Sequence, residues 1–265
     1  MLTFARIWLA ILAIFAGPLA LAAPSDTRPV VRLAASAWPP FADEALPAQG
    51  SSTAILRQAL ARAGYRLEVV WLPWTRAVRD GVNAQTGLDG YFPEYATADT
   101  RRRCQLSAPI GSSVLGLAHR KDYPLQWRTI ADLQPLRVGV VNGYANSDAF
   151  DDAVRRGQLH VDVASDDISN VRKLLRARID VAVIDYAVMR YLLTHPSLRS
   201  HADQVAFHPR ELAEQAVRVC FGHGARLQPV LAALDAHALT PAQLRQQQTH
   251  YQQQLTRAAP AMPAR

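Results

Sequence analysis

Cysteine and lysine are the scarce residues in this chain of 265. Two cysteines exclude a disulfide scaffold and a cysteine-built zinc module. Glycine and proline are too few, at 13 and 17, for a collagen-like or low-complexity chain. The eight histidines, from His119 to His250, show no ligand spacing, so no metal is expected. Gly-x-Ser-x-Gly, His-Glu-x-x-His and P-loop patterns are all missing, and no pair of acids stands at a readable catalytic spacing. Neither a cofactor nor catalysis is therefore expected. Lysine is confined to Lys121 and Lys173, so arginine carries nearly all the positive charge behind a net +7. Apart from Arg101-Arg102-Arg103, the arginines are scattered and interleaved with acids, which argues against a nucleic-acid stripe.

Long apolar runs are also rare. The one present, from Ile7 to Ala16, follows a single positive charge at Arg6 and precedes Pro18 and Ala20-Leu21-Ala22. It falls short of the ~20 residues that a spanning helix needs. The order of charge, apolar run and small-x-small site predicts a signal peptide over residues 1–22. Cleavage fits best after Ala22, since a later cut would leave Pro24 beside the scissile bond. No lipobox cysteine lies near that site. A soluble periplasmic protein is the expectation.

What remains is 49% hydrophobic and alternates strand-like with helix-like segments. Val30–Ala34, Leu67–Trp71 and Leu88–Phe92 read as strands around a helix that opens at Gly50-Ser51-Ser52 and ends at Gly64, and a short helix beginning at Pro73-Trp74. The pattern restarts with strands at Leu136–Val141, Leu159–Val163 and Ile179–Ile184 and helices after Ser147 and Asp166-Asp167. A strand at Ala216–Phe221 and two helices follow, the second starting at Thr240-Pro241. Gln246–Gln248 and Gln252–Gln254 read as exposed helix surface, and 259–265 as a tail. Two α/β units with mostly parallel sheets fit this order.

Several short segments, taken in order, resemble the bacterial extracellular solute-binding proteins of the polar amino-acid type, the periplasmic partners of ABC importers (periplasmic binding protein family 3). They are Ala37-Trp38-Pro39-Pro40-Phe41, Gly50, Leu88-Asp89-Gly90, Thr97–Arg101, Leu106-Ser107-Ala108-Pro109, Val138-Gly139-Val140 with Asn142-Gly143, and Ile179–Asp185. The resemblance implies a two-lobed α/β fold with two hinge crossovers. Lobe one would span 23–118 and 217–258, and hinge with lobe two 119–216. The outward crossover falls at His119–Tyr123 and the return near Ala213–Val217. It also implies a monomer that captures a small polar or zwitterionic ligand between the lobes and closes by hinge bending for ABC-type uptake.

The resemblance assigns roles in the cleft as well. Arg101 would grip an α-carboxylate, Asp185 would meet an α-ammonium, and Trp38 and Trp74 would pack the ligand, with Arg76 close by. Three positions depart from the pattern. Glu94 and Ala96 stand where small hydroxyl residues are usual, and Tyr144-Ala145 follows the second-lobe glycine. Glu94 would either pair with Arg76 or Arg101, or select a cationic ligand group, or point into water. Two rival functions share the fold: a periplasmic cyclohexadienyl or arogenate dehydratase with Glu94 as general acid, and a detached sensory module docking on a membrane receptor. Cys104 and Cys220 both fall in lobe one, where either a disulfide or two thiols fits.

Overall fold

The computed structural model describes residues 26–258, so the signal peptide expected over 1–22 and the tail at 259–265 lie outside the described residues. The first strand, β1 (Val30–Ala35), lies between β2 (Arg66–Trp71) and β3 (Gly90–Tyr95), parallel to both. Between them run α1 (Ser51–Arg62) and α2 (Trp74–Gly81). The first turn of α1 is built on Gly50, whose φ of 106° is open to glycine alone. A Cβ there would sit 2.4 Å from the Phe41 carbonyl oxygen. That close approach lets the N–H groups of Ser51 and Ser52 donate to Pro40 and Phe41 at 2.9 Å, which satisfies donors a helix start leaves open.

After α3 (Ala98–Arg103) and the short β4 (Gln105–Leu106), the chain enters a ten-residue strand, β5 (Gly111–Arg120). A second parallel set follows, with β6 (Arg137–Val141) between β7 (His160–Ala164) and β8 (Val181–Asp185). Its helices are α4 (Asp148–Arg155), α5 (Asp167–Leu175) and α6 (Tyr186–Leu192). Each begins where its sequence provides a side-chain oxygen: Ser147, Asp166 and Asp185 accept from the N–H of Phe150, Ser169 and Val188. The chain returns through β9 (Val205–Phe207) and β10 (Ala213–Phe221) and finishes with α7 (Gln228–Ala236) and α8 (Pro241–Ala258). Along one continuous sheet the order is β2-β1-β3-β10-β5-β8-β6-β7.

β5 and β10 join the two parallel sets, running antiparallel to their neighbours. From Gly111 to Leu115, β5 pairs with β10, and from Leu115 to His119 it pairs with β8. β5 thus changes partner at Leu115, ahead of His119–Tyr123. The stretch Ala213–Val217 is the part of β10 that pairs with β5.

Gln248 also departs from expectation. It is buried on α8, where its side-chain Oε1 accepts from the Ser112 N–H and its Nε2 donates to the Ser112 carbonyl, both at 3.0 Å. The third residue of a glutamine run thus turns inward onto the β5 backbone. Cys104, at the end of α3, is joined to Cys220 of β10 by a disulfide, with Cα atoms 5.5 Å apart. Among the described residues no helix is long and apolar enough to cross a membrane.

Candidate functional site

At the C-terminal ends of β1 and β3, facing the loop after β6, lies a recess of about 30 Å³ that opens to solvent. Open α/β sheets place ligands in this position, because strand ends and helix starts leave the backbone turning away from the sheet there. The lining residues are Ser36, Trp38, Trp74, Pro93, Glu94, Tyr95, Tyr144 and Ala145. Trp38 stacks on Phe41 with ring centroids 4.4 Å apart and meets Tyr95 edge-on. Trp74 stands edge-on to Tyr91 and to Tyr144, at 5.6 and 5.7 Å.

The rim is bridged by hydrogen bonds between the two parallel sets. The Trp74 indole N–H donates to the Gly143 carbonyl at 2.8 Å, and the Ala98 N–H donates to Asp148 Oδ1 at 2.8 Å. Gly143 has φ +74°, and a Cβ there would crowd Thr75 and Trp74 at 3.3–3.4 Å. Glycine is what lets the loop turn and come this close to the indole.

One buried carboxyl group, Glu94, lines this recess, and two more, Asp167 and Asp185, are hydrogen-bonded to lining residues, Asp185 through Ser113. Glu94 is 4% exposed. It accepts from the Tyr91 hydroxyl and from the Tyr95 N–H, both at 2.8 Å, and Arg103 stands 3.8 Å away. Burial lifts its carboxyl to about 7 against these stabilising contacts. Asp185, 2% exposed, accepts from Ser113 Oγ and from the Val188 N–H, and burial lifts it to about 6. Asp167 accepts from the Tyr144 hydroxyl at 3.2 Å, and burial, with the charges of Asp185 and Asp166, lifts it to about 7. The Tyr95 hydroxyl lies 2.5 Å from Ser113 Oγ, so Tyr95, Ser113 and Asp185 form a chain from the recess into the second set. Burial and then the charges of Asp185, Asp167 and Glu94 push the Tyr95 phenol well above its ordinary value.

The expected site residues divide. Trp38, Trp74, Glu94 and Tyr144 line the recess together, and Asp185 lies behind it. Arg101 and Arg76 do not join them. Arg101 is exposed and donates to the Ala96 carbonyl at 3.2 Å; Thr100 is the buried residue of α3, and the next position therefore turns outward. Arg76 is exposed on α2 and pairs with Asp80 one turn on. The arginine beside Glu94 is instead Arg103, half-buried, whose Nη1 also donates to the Tyr91 hydroxyl at 3.1 Å and whose Nη2 pairs with Asp99. Glu94 therefore neither pairs with Arg76 or Arg101 nor points into water.

Tyr95, Ser113, Asp167 and Arg103 were not singled out by sequence reasoning. The doubled acid Asp166-Asp167 carried a usable signal: one acid caps α5, and the next, at its first turn, is buried. For Tyr95 and Arg103 there was none. Opposite Glu94 stands Arg218 and opposite Tyr91 stands Cys220, so three steps along β3 answer two along β10. That bulge contains Pro93, which has no N–H for the ladder, and it breaks the alternation a strand pattern would follow.

No protein-family model matches the chain, and no curated protein matches it in sequence. Solved structures share its fold. A histidine kinase sensor domain with similarity to periplasmic binding proteins superposes with a TM-score of 0.67 at 15% identity, over 89% of this chain and 98% of that one. The GluR0 ligand-binding core from Nostoc punctiforme in complex with L-glutamate gives 0.64 at 17%, over 84% and 98%. Holo arginine-binding protein from T. maritima gives 0.62 at 16%, over 85% and 96%. The chain has the two-lobed periplasmic-binding-protein fold.

Proposed function

We propose that this chain is an exported solute-binding protein that captures a small polar ligand in the recess between its lobes and closes by hinge bending. The observation that carries the reading is the recess itself: aromatic walls from both parallel sets, a charged floor, and a rim bridged by Trp74 and Gly143. Lobe one comprises the chain to about residue 113 and from about 217, and lobe two lies between, with β5 and β10 as the paired hinge strands. A ligand touching Trp38 and Glu94 on one side and Tyr144 on the other stabilises the closed arrangement and shifts that population. The neighbours in fold are binding proteins and a sensor domain, which supports capture rather than catalysis. The loaded form is then read by a membrane partner, an ABC permease in the uptake reading.

A thermal-shift panel of amino acids, organic acids, amines and prephenate tests this. A ligand at about 100 times its Kd adds roughly 2.7 kcal/mol to the folded state. One compound class should raise Tm and contract the protein in small-angle scattering, and Trp74→Ala should abolish both effects. Turnover of prephenate would replace capture with the dehydratase reading. Silence across the panel, with unchanged scattering, would remove the recess as a ligand site.

A further inference from the structure

We infer that the captured ligand is a compact organic cation without a carboxylate, an alkylamine or guanidine, seated against Trp38 and Trp74 with Glu94 as its counter-ion. This rests on the capture reading above and specifies the chemistry of the same recess. Its walls are two indoles and two phenols, and its one charged lining residue is Glu94. Asp167 and Asp185 stand behind Tyr144 and behind the Tyr95–Ser113 pair. Low-dielectric walls concentrate the field of such a group of acids into the space they enclose. Indole faces add attraction for a cation and none for an anion.

The second half of the inference concerns what the recess lacks. No arginine, lysine or histidine lines it. Arg101 is outside and bonded to the Ala96 carbonyl, and Arg76 is held by Asp80. Arg103 is occupied by Tyr91 and Asp99, stands 3.8 Å from Glu94 and does not line the recess. An α-amino acid would bring its carboxylate beside the Glu94 carboxylate with no guanidinium to receive it. Like charges at close range in a desolvated site exclude each other. The same cation with its carboxylate removed meets only the favourable half of the site.

Pairs of compounds that differ only in that carboxylate decide the matter: agmatine against L-arginine, and 1,4-diaminobutane against L-ornithine, by titration calorimetry on the mature protein. Each amine should bind at least about tenfold tighter than its amino acid. Glu94→Gln and, independently, Asp167→Asn should weaken amine binding about tenfold or more, while Asp122→Asn, an exposed control, should not. Melting of each ligand-free variant shows that it is folded. If L-arginine, L-ornithine or L-glutamate binds tighter than the amines, or if Glu94→Gln leaves amine affinity unchanged, the inference is overturned and capture in the recess still stands. Silence of all four cations overturns it too, and the wider panel then decides whether capture itself survives.

Discussion

Glu94, Asp167 and Asp185 are held away from water, and among the described residues only Glu94 has an arginine within 4 Å, Arg103. Their carboxyls sit at about 7, about 7 and about 6, against ordinary values of 4.5 for glutamate and 3.8 for aspartate. A raised carboxyl pKa means that the folded chain holds the proton more tightly than the unfolded chain. The stability these groups add is fully present below about pH 4 and is lost as pH rises through about 6 to 7. The ligand-free protein should therefore weaken between those limits. Glu94→Gln or Asp167→Asn should recover roughly 2 kcal/mol each at about pH 8 and change little at about pH 4. Urea midpoints measured across this range check it; equal midpoints for variant and parent at about pH 8 would contradict it. A cationic ligand would offset the same cost of burying charge, which gives the acids a functional reason to be there.

Among the elements, β5 and β10 decide the architecture and α8 holds one of them in place. Gln248 binds both backbone groups of Ser112, a residue within the segment where β5 still pairs with β10. Gln248→Ala would strip two buried backbone groups of their partner, and a cost of about 1–3 kcal/mol follows. It should also raise amide exchange at Ser112, while a Gln248→Glu variant, which keeps one acceptor, should lose less protection. Exchange unchanged in both would mean that solvent replaces the side chain without cost. The bulge in β3 works at the same scale. It sets Glu94 facing Tyr91 and Arg103, which turns an out-of-pattern acid into the charged floor of the recess.

For the whole molecule, the disulfide between Cys104 and Cys220, 116 positions apart in sequence, encloses the second parallel set, β6, β7 and β8. It ties the end of α3 to β10, so the second parallel set is a loop with a covalent base. Breaking a cross-link of this span should cost about 2–5 kcal/mol. Replacing both cysteines with alanine, or reducing the parent, should lower the denaturant midpoint by matching amounts. A loss on replacement without a loss on reduction would point to packing in place of the cross-link. Because the bond lies within lobe one, ligand affinity at a temperature where both forms are folded should stay the same.

The alternation of strands and helices, the caps at Ser147, Asp166 and Asp185, and the glycine at the start of α1 were determined by the sequence itself, because each depends on neighbours within a few residues. The aromatic residues of the recess were legible for a related reason: Trp38 and Trp74 follow directly on strand ends, where the fold opens. Which charges meet there was a tertiary decision. Arg101 turned outward and Arg103 inward because Thr100 took the buried face of α3. Glu94 found Tyr91 because a bulge shifted the ladder. β5 exchanges one strand partner for another at Leu115. Pairing across a hundred residues of chain leaves no trace in local pattern, and it is that pairing which placed Glu94, and no basic residue among the described ones, in the lining of the recess.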